Sequence, residues 1–257
     1  MIIIENKKIH DIPLLHVVKD EDRQNKLPLI IFIHGFTSAK EHNLHYAYLL
    51  ADKGFRVILP ETLHHGEREQ GLSMQDLYPQ FWKVILTTID EINLLKEYYC
   101  LEGLVDRDRI GVVGTSMGGI TTLGALTQFP WIKAAVSLMG MPAYVQFSLW
   151  QLEQLQSQGI KLPFNDEQIA EQLAILRDYD LSLQPERLAN RPLLFWHGKK
   201  DPLVPYPLAF QFFQSIKNDY SEAPDKLQFI TDEHAGHKVS REGLKATVNW
   251  FEKYLLH

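Results

Sequence analysis

The segment Gly114-Thr115-Ser116-Met117-Gly118 places a serine between glycines in the spacing G-x-S-x-G. A serine hydroxyl is a poor nucleophile at neutral pH, so it needs a base to take its proton and a third group to orient that base. Candidates for both follow in the chain. Asp201 lies in His197-Gly198-Lys199-Lys200-Asp201-Pro202, and His237 in Glu233-His234-Ala235-Gly236-His237. The chemistry they offer together is attack of an activated hydroxyl on a carbonyl, through an acyl-enzyme intermediate. His234 is a rival base, but the glycine before His237 suits a loop that turns back over a site. Asp178 and Asp180 fall in a helical insertion and Asp225 precedes its strand, so Asp201 is the better-placed carboxylate. A developing oxyanion also needs fixed hydrogen-bond donors. The Met117 N–H, at the start of a helix, is one candidate. The second is the Phe36 N–H in His34-Gly35-Phe36-Thr37-Ser38, where Gly35 allows the backbone to approach closely. His34 reads as a residue that holds this loop.

These groups converge only if the elements between them are arranged correctly. The apolar run 27–33 reads as a strand buried on both faces, and 55–59, 109–113, 133–138, 192–196 and 226–231 read as further strands. An opening strand pair is expected at 1–5 and 14–18. Helical patterns fall at 42–53, 75–101, 118–129, 207–217 and 241–255; in the last, Leu244, Val248, Phe251 and Leu255 share one face. Such alternation predicts an α/β fold with a mostly parallel central sheet flanked by helices. Ser116 then sits in the turn from strand to helix, and Asp201 and His237 in loops leaving the C-terminal ends of strands, where sheets of this kind bind ligands. The rhythm breaks at 142–188, a polar, glutamine-rich stretch with two or three helical patterns and no strand. It reads as a small helical cap, at about 142–190, inserted into a single domain spanning 1–257.

Composition excludes several other classes. Of the 257 residues 45% are hydrophobic and 23% charged, which is ordinary for a globular protein. The formal net charge is −6 with the signs interspersed, so no basic patch for nucleic acid is expected. A single cysteine, Cys100, precludes an intrachain disulfide and reads as a structural thiol. No run of about 18 apolar residues exists and Ile2-Ile3-Ile4 is too short for a secretory core, so a cytoplasmic protein without a membrane partner is expected.

The motifs HGF with TSAKE from His34, GTSMGG from Gly114, HGKKDPLVP from His197 and AGHK from Ala235 together resemble the α/β-hydrolase superfamily. With HGER from His65, they are most similar to small bacterial esterases of the YitV/YjfP type, related to dienelactone hydrolases and to the catalytic domain of prolyl oligopeptidases. The resemblance runs from about residue 30 to the C-terminus and is weak in the cap. It implies a carboxylesterase-type serine hydrolase with Ser116, Asp201 and His237 as triad, Phe36 and Met117 as oxyanion hole, and no cofactor.

The expected substrate is a small, fairly apolar ester. Thioesterase and peptidase or acyl-peptide hydrolase activities use the same triad; the peptidase reading is weakened by the lack of a propeller-sized segment before this one. A non-catalytic ligand-binding member of the fold would be expected to lose a triad residue. Candidate substrate-binding residues are Tyr144, Phe147 and Trp150 in the cap, with His65, Glu67 and Arg68 lining the pocket or bracing a loop. His64 and His65 are adjacent, which makes it hard for both to face one ion, so no metal is expected. Oligomeric state is left open.

Overall fold

The strands are β1 (Ile2–Ile9), β2 (Ile12–Lys19), β3 (Leu27–Ile33), β4 (Arg56–Pro60), β5 (Val105–Thr115), β6 (Ala134–Leu138), β7 (Leu193–Gly198) and β8 (Leu227–Asp232). They form one sheet in the order β1-β2-β4-β3-β5-β6-β7-β8, in a computed structural model that describes residues 1–159 and 164–257. β1 and β2 pair antiparallel, as do β2 and β4, and every other pairing is parallel. The opening hairpin is longer than its apolar residues suggest. Exposure alternates along the outer strand through the polar run Glu5-Asn6-Lys7-Lys8, and the chain reverses through His10 and Asp11, both at positive φ (49° and 62°). That pair of left-handed residues matches the twist of a tight hairpin.

The helices are α1 (Leu44–Asp52), α2 (Met74–Leu77), α3 (Phe81–Leu101), α4 (Met117–Gln128), α5 (Tyr144–Ser157), α6 (Asp166–Arg177), α7 (Tyr206–Ile216) and α8 (Arg241–Phe251). The single helix expected over 75–101 is divided into α2, a 3-10 turn at Tyr78–Gln80, and α3. Pro79 is the cause, since it has no amide hydrogen and its ring clashes with the preceding turn. Between β6 and β7 the described residues hold α5, α6 and two 3-10 turns, Leu181–Leu183 and Pro185–Leu188, and no strand. Asp180 pins this insertion: its carboxylate accepts the Val145 N–H at the start of α5 (2.9 Å) and the Ser182 N–H (2.9 Å).

Adjacent residues on a strand point to opposite faces, and the core divides accordingly. Ile31, Val112 and Ala135 pack with Ile85, Ile89 and Ile92 of α3 and Ile120 and Leu123 of α4. Phe32, Val113 and Val136 pack on the other face with Tyr46 and Leu50 of α1 and Val248 and Phe251 of α8. α4 is therefore clamped between sheet and α3 over its whole length, and ten of its first eleven residues after Met117 are buried with it.

The far end of α4 is closed by Arg191. Its guanidinium donates to the carbonyls of Leu126 (2.7 Å), Phe129 (2.8 Å) and Ile132 (3.2 Å). A cation at a helix C-terminus satisfies orphan carbonyls and opposes the negative end of the dipole. Replacement Arg191→Met leaves those carbonyls buried without donors. It is expected to lower the unfolding free energy by about 3 kcal/mol, measured by urea denaturation at pH 7.

Candidate active site

β5 ends at Thr115 and α4 begins at Met117, so Ser116 must turn the chain by itself. It does so at φ 54° and ψ −116°, a left-handed conformation that costs a non-glycine residue about 1–3 kcal/mol. The turn is tight enough to exclude side chains on both flanks. A Cβ on Gly114 would collide with the Gly118 backbone, and one on Gly118 with the carbonyl of Ile33. The turn is held by the Ser116 N–H donating to the Leu138 carbonyl at 2.8 Å. The serine is thereby presented at the C-terminal edge of the sheet, at the N-terminus of α4.

Asp201 follows β7 and His237 follows β8. The two loops are joined by backbone bonds from Lys199 N–H to Asp232 O (2.8 Å) and from Lys200 N–H to Ala235 O (3.0 Å). Gly198 permits this, because a Cβ there would meet the Ala235 and Gly236 carbonyls. Asp232 Oδ1 accepts the His234 and Ala235 amides and starts the turn that carries His237 inward. As a result Ser116 Oγ lies 2.8 Å from His237 Nε2, and His237 Nδ1 lies 2.7 Å from Asp201 Oδ2. An ionised carboxylate only accepts, so Nδ1 carries the proton and Nε2 is free to accept from the serine hydroxyl. His234, the rival base, is exposed and away from this chain of bonds.

The Asp201 side chain is fully buried, and burial alone would raise its pKa. His197, His237 and the amides of Val204 (3.0 Å) and Leu203 (2.9 Å) outweigh that and hold the carboxyl well below its usual range. His197 Nε2 donates to the Val204 carbonyl (3.0 Å) and lies 3.4 Å from Asp201 Oδ2. Asp201 is thus ionised and fixed, as an orienting carboxylate must be.

The loop after β3 passes beside Ser116; Gly35 lies against the Thr115 carbonyl and the serine Cβ. Among the described residues neither the Phe36 N–H nor the Met117 N–H has a protein acceptor. This loop is braced by the loop after β4. His34 Nδ1 donates to the Gly35 carbonyl (2.8 Å), and its Nε2 accepts the Thr62 N–H (3.1 Å). His65 Nδ1 donates to the Leu63 carbonyl (2.8 Å), and its Nε2 accepts the Thr37 N–H (3.0 Å). Burial, with His34 and His64 nearby, lowers the His65 pKa against the opposing pull of Leu63 and Glu61. Beneath both histidines lies Glu61, wholly buried, which accepts from Lys40 Nζ (3.0 Å) and the Lys40 amide (3.1 Å). Lys40 also reaches Glu67 (2.6 Å), and Arg68 forms a two-point pair with Glu91 (2.8 and 2.7 Å). Of the two roles open to His65, Glu67 and Arg68, the contacts therefore favour bracing. The buried Lys40–Glu61 pair is not legible from residues 21 positions apart in sequence.

The cap residues separate. Tyr144 is wholly buried: its hydroxyl donates to the Ile120 carbonyl (2.6 Å) and its ring packs 5.0 Å from Trp82. That placement corrects the expectation that it lines a pocket; it anchors α5 to α4. Phe147 is also buried, against Trp82 and Phe81, and Trp150 stacks on it at 5.7 Å with one side exposed. The Pro79 break brings two unforeseen aromatics to the site. Tyr78 and Phe81 stand 5.5 and 5.3 Å from Phe36, making an aromatic strip that begins at the residue after Gly35.

Sheet order, strained elbow and the position of the loops are those of an α/β hydrolase. The sequence profile of the prolyl oligopeptidase family matches residues 41–257, and the chain belongs to that family. It is 56% identical to YitV of Bacillus subtilis over 99% of this chain and 100% of that protein. It is 31% identical to esterase YjfP of Escherichia coli over 99% of this chain and 100% of that protein. Among solved structures it shares its fold with TT1662 from Thermus thermophilus, at TM-score 0.74 and 19% identity, covering 100% of this chain and 99% of that one. The chain is a serine hydrolase enzyme of the esterase and hydrolase kind. No helix among the described residues is long and apolar enough to cross a membrane.

Burial would raise the Glu61 pKa, but His34 and Lys40 pull it down to about 2, from 4.5. A carboxylate with a lowered folded-state pKa contributes stability above its unfolded pKa and loses it as pH falls toward the folded value. The difference in unfolding free energy between wild type and Glu61→Gln is expected to be constant from pH 7 to 5 and to narrow below about 4.5, read by urea denaturation at each pH.

Proposed function

We propose that the protein hydrolyses small, fairly apolar carboxylic esters, with Ser116, His237 and Asp201 as a catalytic triad. The observation that carries this reading is the unbroken line of bonds from Ser116 Oγ through His237 to Asp201, at 2.8 and 2.7 Å. His237 Nε2 takes the hydroxyl proton as Oγ attacks the ester carbonyl. Asp201 keeps the proton on Nδ1 and stabilises the imidazolium. The oxyanion forms between the Phe36 and Met117 amides, which supports several kcal/mol of barrier lowering in a site of fixed donors. His237 then gives its proton to the leaving alcohol. A water molecule, deprotonated by the same imidazole, attacks the acyl-enzyme, and Ser116 leaves with the proton returned.

Apolar preference is supported by the aromatic strip of Phe36, Tyr78, Phe81 and Trp150, with the segment 142–190 acting as a cap that carries Trp150. Likeness to esterase YjfP supports an ester over other acyl compounds. Membership of the prolyl oligopeptidase family supports acyl-aminoacyl amides as the second reading.

A fluorophosphonate probe is expected to label the wild type and to fail with Ser116→Ala and His237→Ala. Ester turnover should vanish in Ser116→Ala and fall about 10³- to 10⁴-fold in Asp201→Asn, where the imidazole tautomer is no longer enforced. Full esterase activity in Ser116→Ala overturns the assignment. A panel of alkyl esters, thioesters and aminoacyl amides ranked by kcat/KM separates the two readings, with short apolar esters expected first.

A further inference from the structure

The loop after β3 must offer one amide to the oxyanion and no other. Its Ser38 N–H is spent on the Gly35 carbonyl at 3.2 Å. Its Thr37 N–H is given to His65 Nε2 at 3.0 Å. Thr37 pays for that orientation in backbone conformation, with φ at 60° in a residue that is not glycine. No backbone carbonyl among the described residues accepts the Thr37 N–H, so the imidazole of His65 is what holds the strained residue in place. His65 is itself fixed from the other side, because Nδ1–H donates to the Leu63 carbonyl and leaves Nε2 as an acceptor.

The arrangement is reciprocal. His34, in the first loop, accepts the Thr62 amide of the second, and His65, in the second loop, accepts the Thr37 amide of the first. The two rings meet edge to face at 5.3 Å, and the His65 ring meets Phe36 in the same way at 5.4 Å. His65 is buried and lies beyond the direct bonds joining Ser116, His237 and Asp201.

We propose that His65 is a positioning residue for the reaction: by accepting the Thr37 amide it keeps Thr37 left-handed and so aims the preceding Phe36 N–H at the oxyanion. The proposal rests on the reading of Phe36 as an oxyanion donor. Its consequence is kinetic. An interaction felt only as charge develops on the substrate oxygen changes kcat, whereas a pocket wall changes KM.

The test uses the full chain and p-nitrophenyl acetate, with His65→Phe, which keeps a ring and loses the acceptor, and His65→Gln, whose amide oxygen reaches the place of Nε2. His65→Phe is expected to lower kcat about 10- to 100-fold with KM changed less than about threefold. His65→Gln is expected to retain at least about a fifth of wild-type kcat. The proposal is overturned by unchanged kcat in His65→Phe, by a rise in KM alone, or by equal losses in the two variants. If circular dichroism shows His65→Phe unfolded, His65→Gln carries the test by itself, and a kcat below that fifth overturns the proposal. Ser116→Ala in the same assay keeps the two failures apart. If it remains active, the triad reading fails; if it is dead while His65→Phe is fully active, only the role of His65 fails.

Discussion

Everything at the site depends on one turn. The chain must pass from β5 into α4 within a single residue, and Ser116 accepts a left-handed conformation to do it. Steric exclusion then fixes its neighbours, since only glycine fits at 114 against the Gly118 backbone and at 118 against the Ile33 carbonyl. The strain is sustained because both flanking elements are fully bonded and packed. β5 is hydrogen-bonded on both sides, to β3 and β6, and α4 is buried along its length and closed by Arg191. The rigid core is therefore the reason a strained serine can persist at the edge of the sheet.

Around that turn the protein uses buried charge as scaffolding. Asp201 is held ionised by the His237 imidazole and the Leu203 and Val204 amides that donate to it, with His197 beside it. Glu61 is dry and ionised because Lys40 is locked beside it. The first accepts from the imidazole that faces Ser116. The second joins the loops after β3 and β4 through Lys40. A half-satisfied network would have been worse than an apolar one, and both of these carboxylates are met by several donors. Backbone strain recurs at Thr37, across the site from Ser116, again held by a side chain from another loop.

The aromatic residues beside the site form a separate layer. Phe36 begins a run of rings that passes through Phe81 to Phe147 and Trp150, with Tyr78 alongside. Its inner members are core packing and its outer members are half-exposed, so one aromatic cluster both anchors the segment between β6 and β7 and borders the site. The break at Pro79 is what lets the start of α3 contribute to it.

By itself the sequence determined the order of strands and helices, the mostly parallel sheet, and the loops that carry Ser116, Asp201 and His237. These are local properties. Apolar runs of strand length, helical periodicity and a glycine-flanked serine each act through near neighbours in the chain, so they can be read there. The tertiary structure alone decided that Tyr144 is a core anchor, that Tyr78 and Phe81 reach Phe36, and that His34 and His65 trade amides between loops. Those contacts join residues 24 to 62 positions apart in sequence. The exchange between the two loops exists because β4 lies beside β3, an adjacency set by sheet order. Ser116 could be picked out from five consecutive letters; the contacts between the loops around it could not.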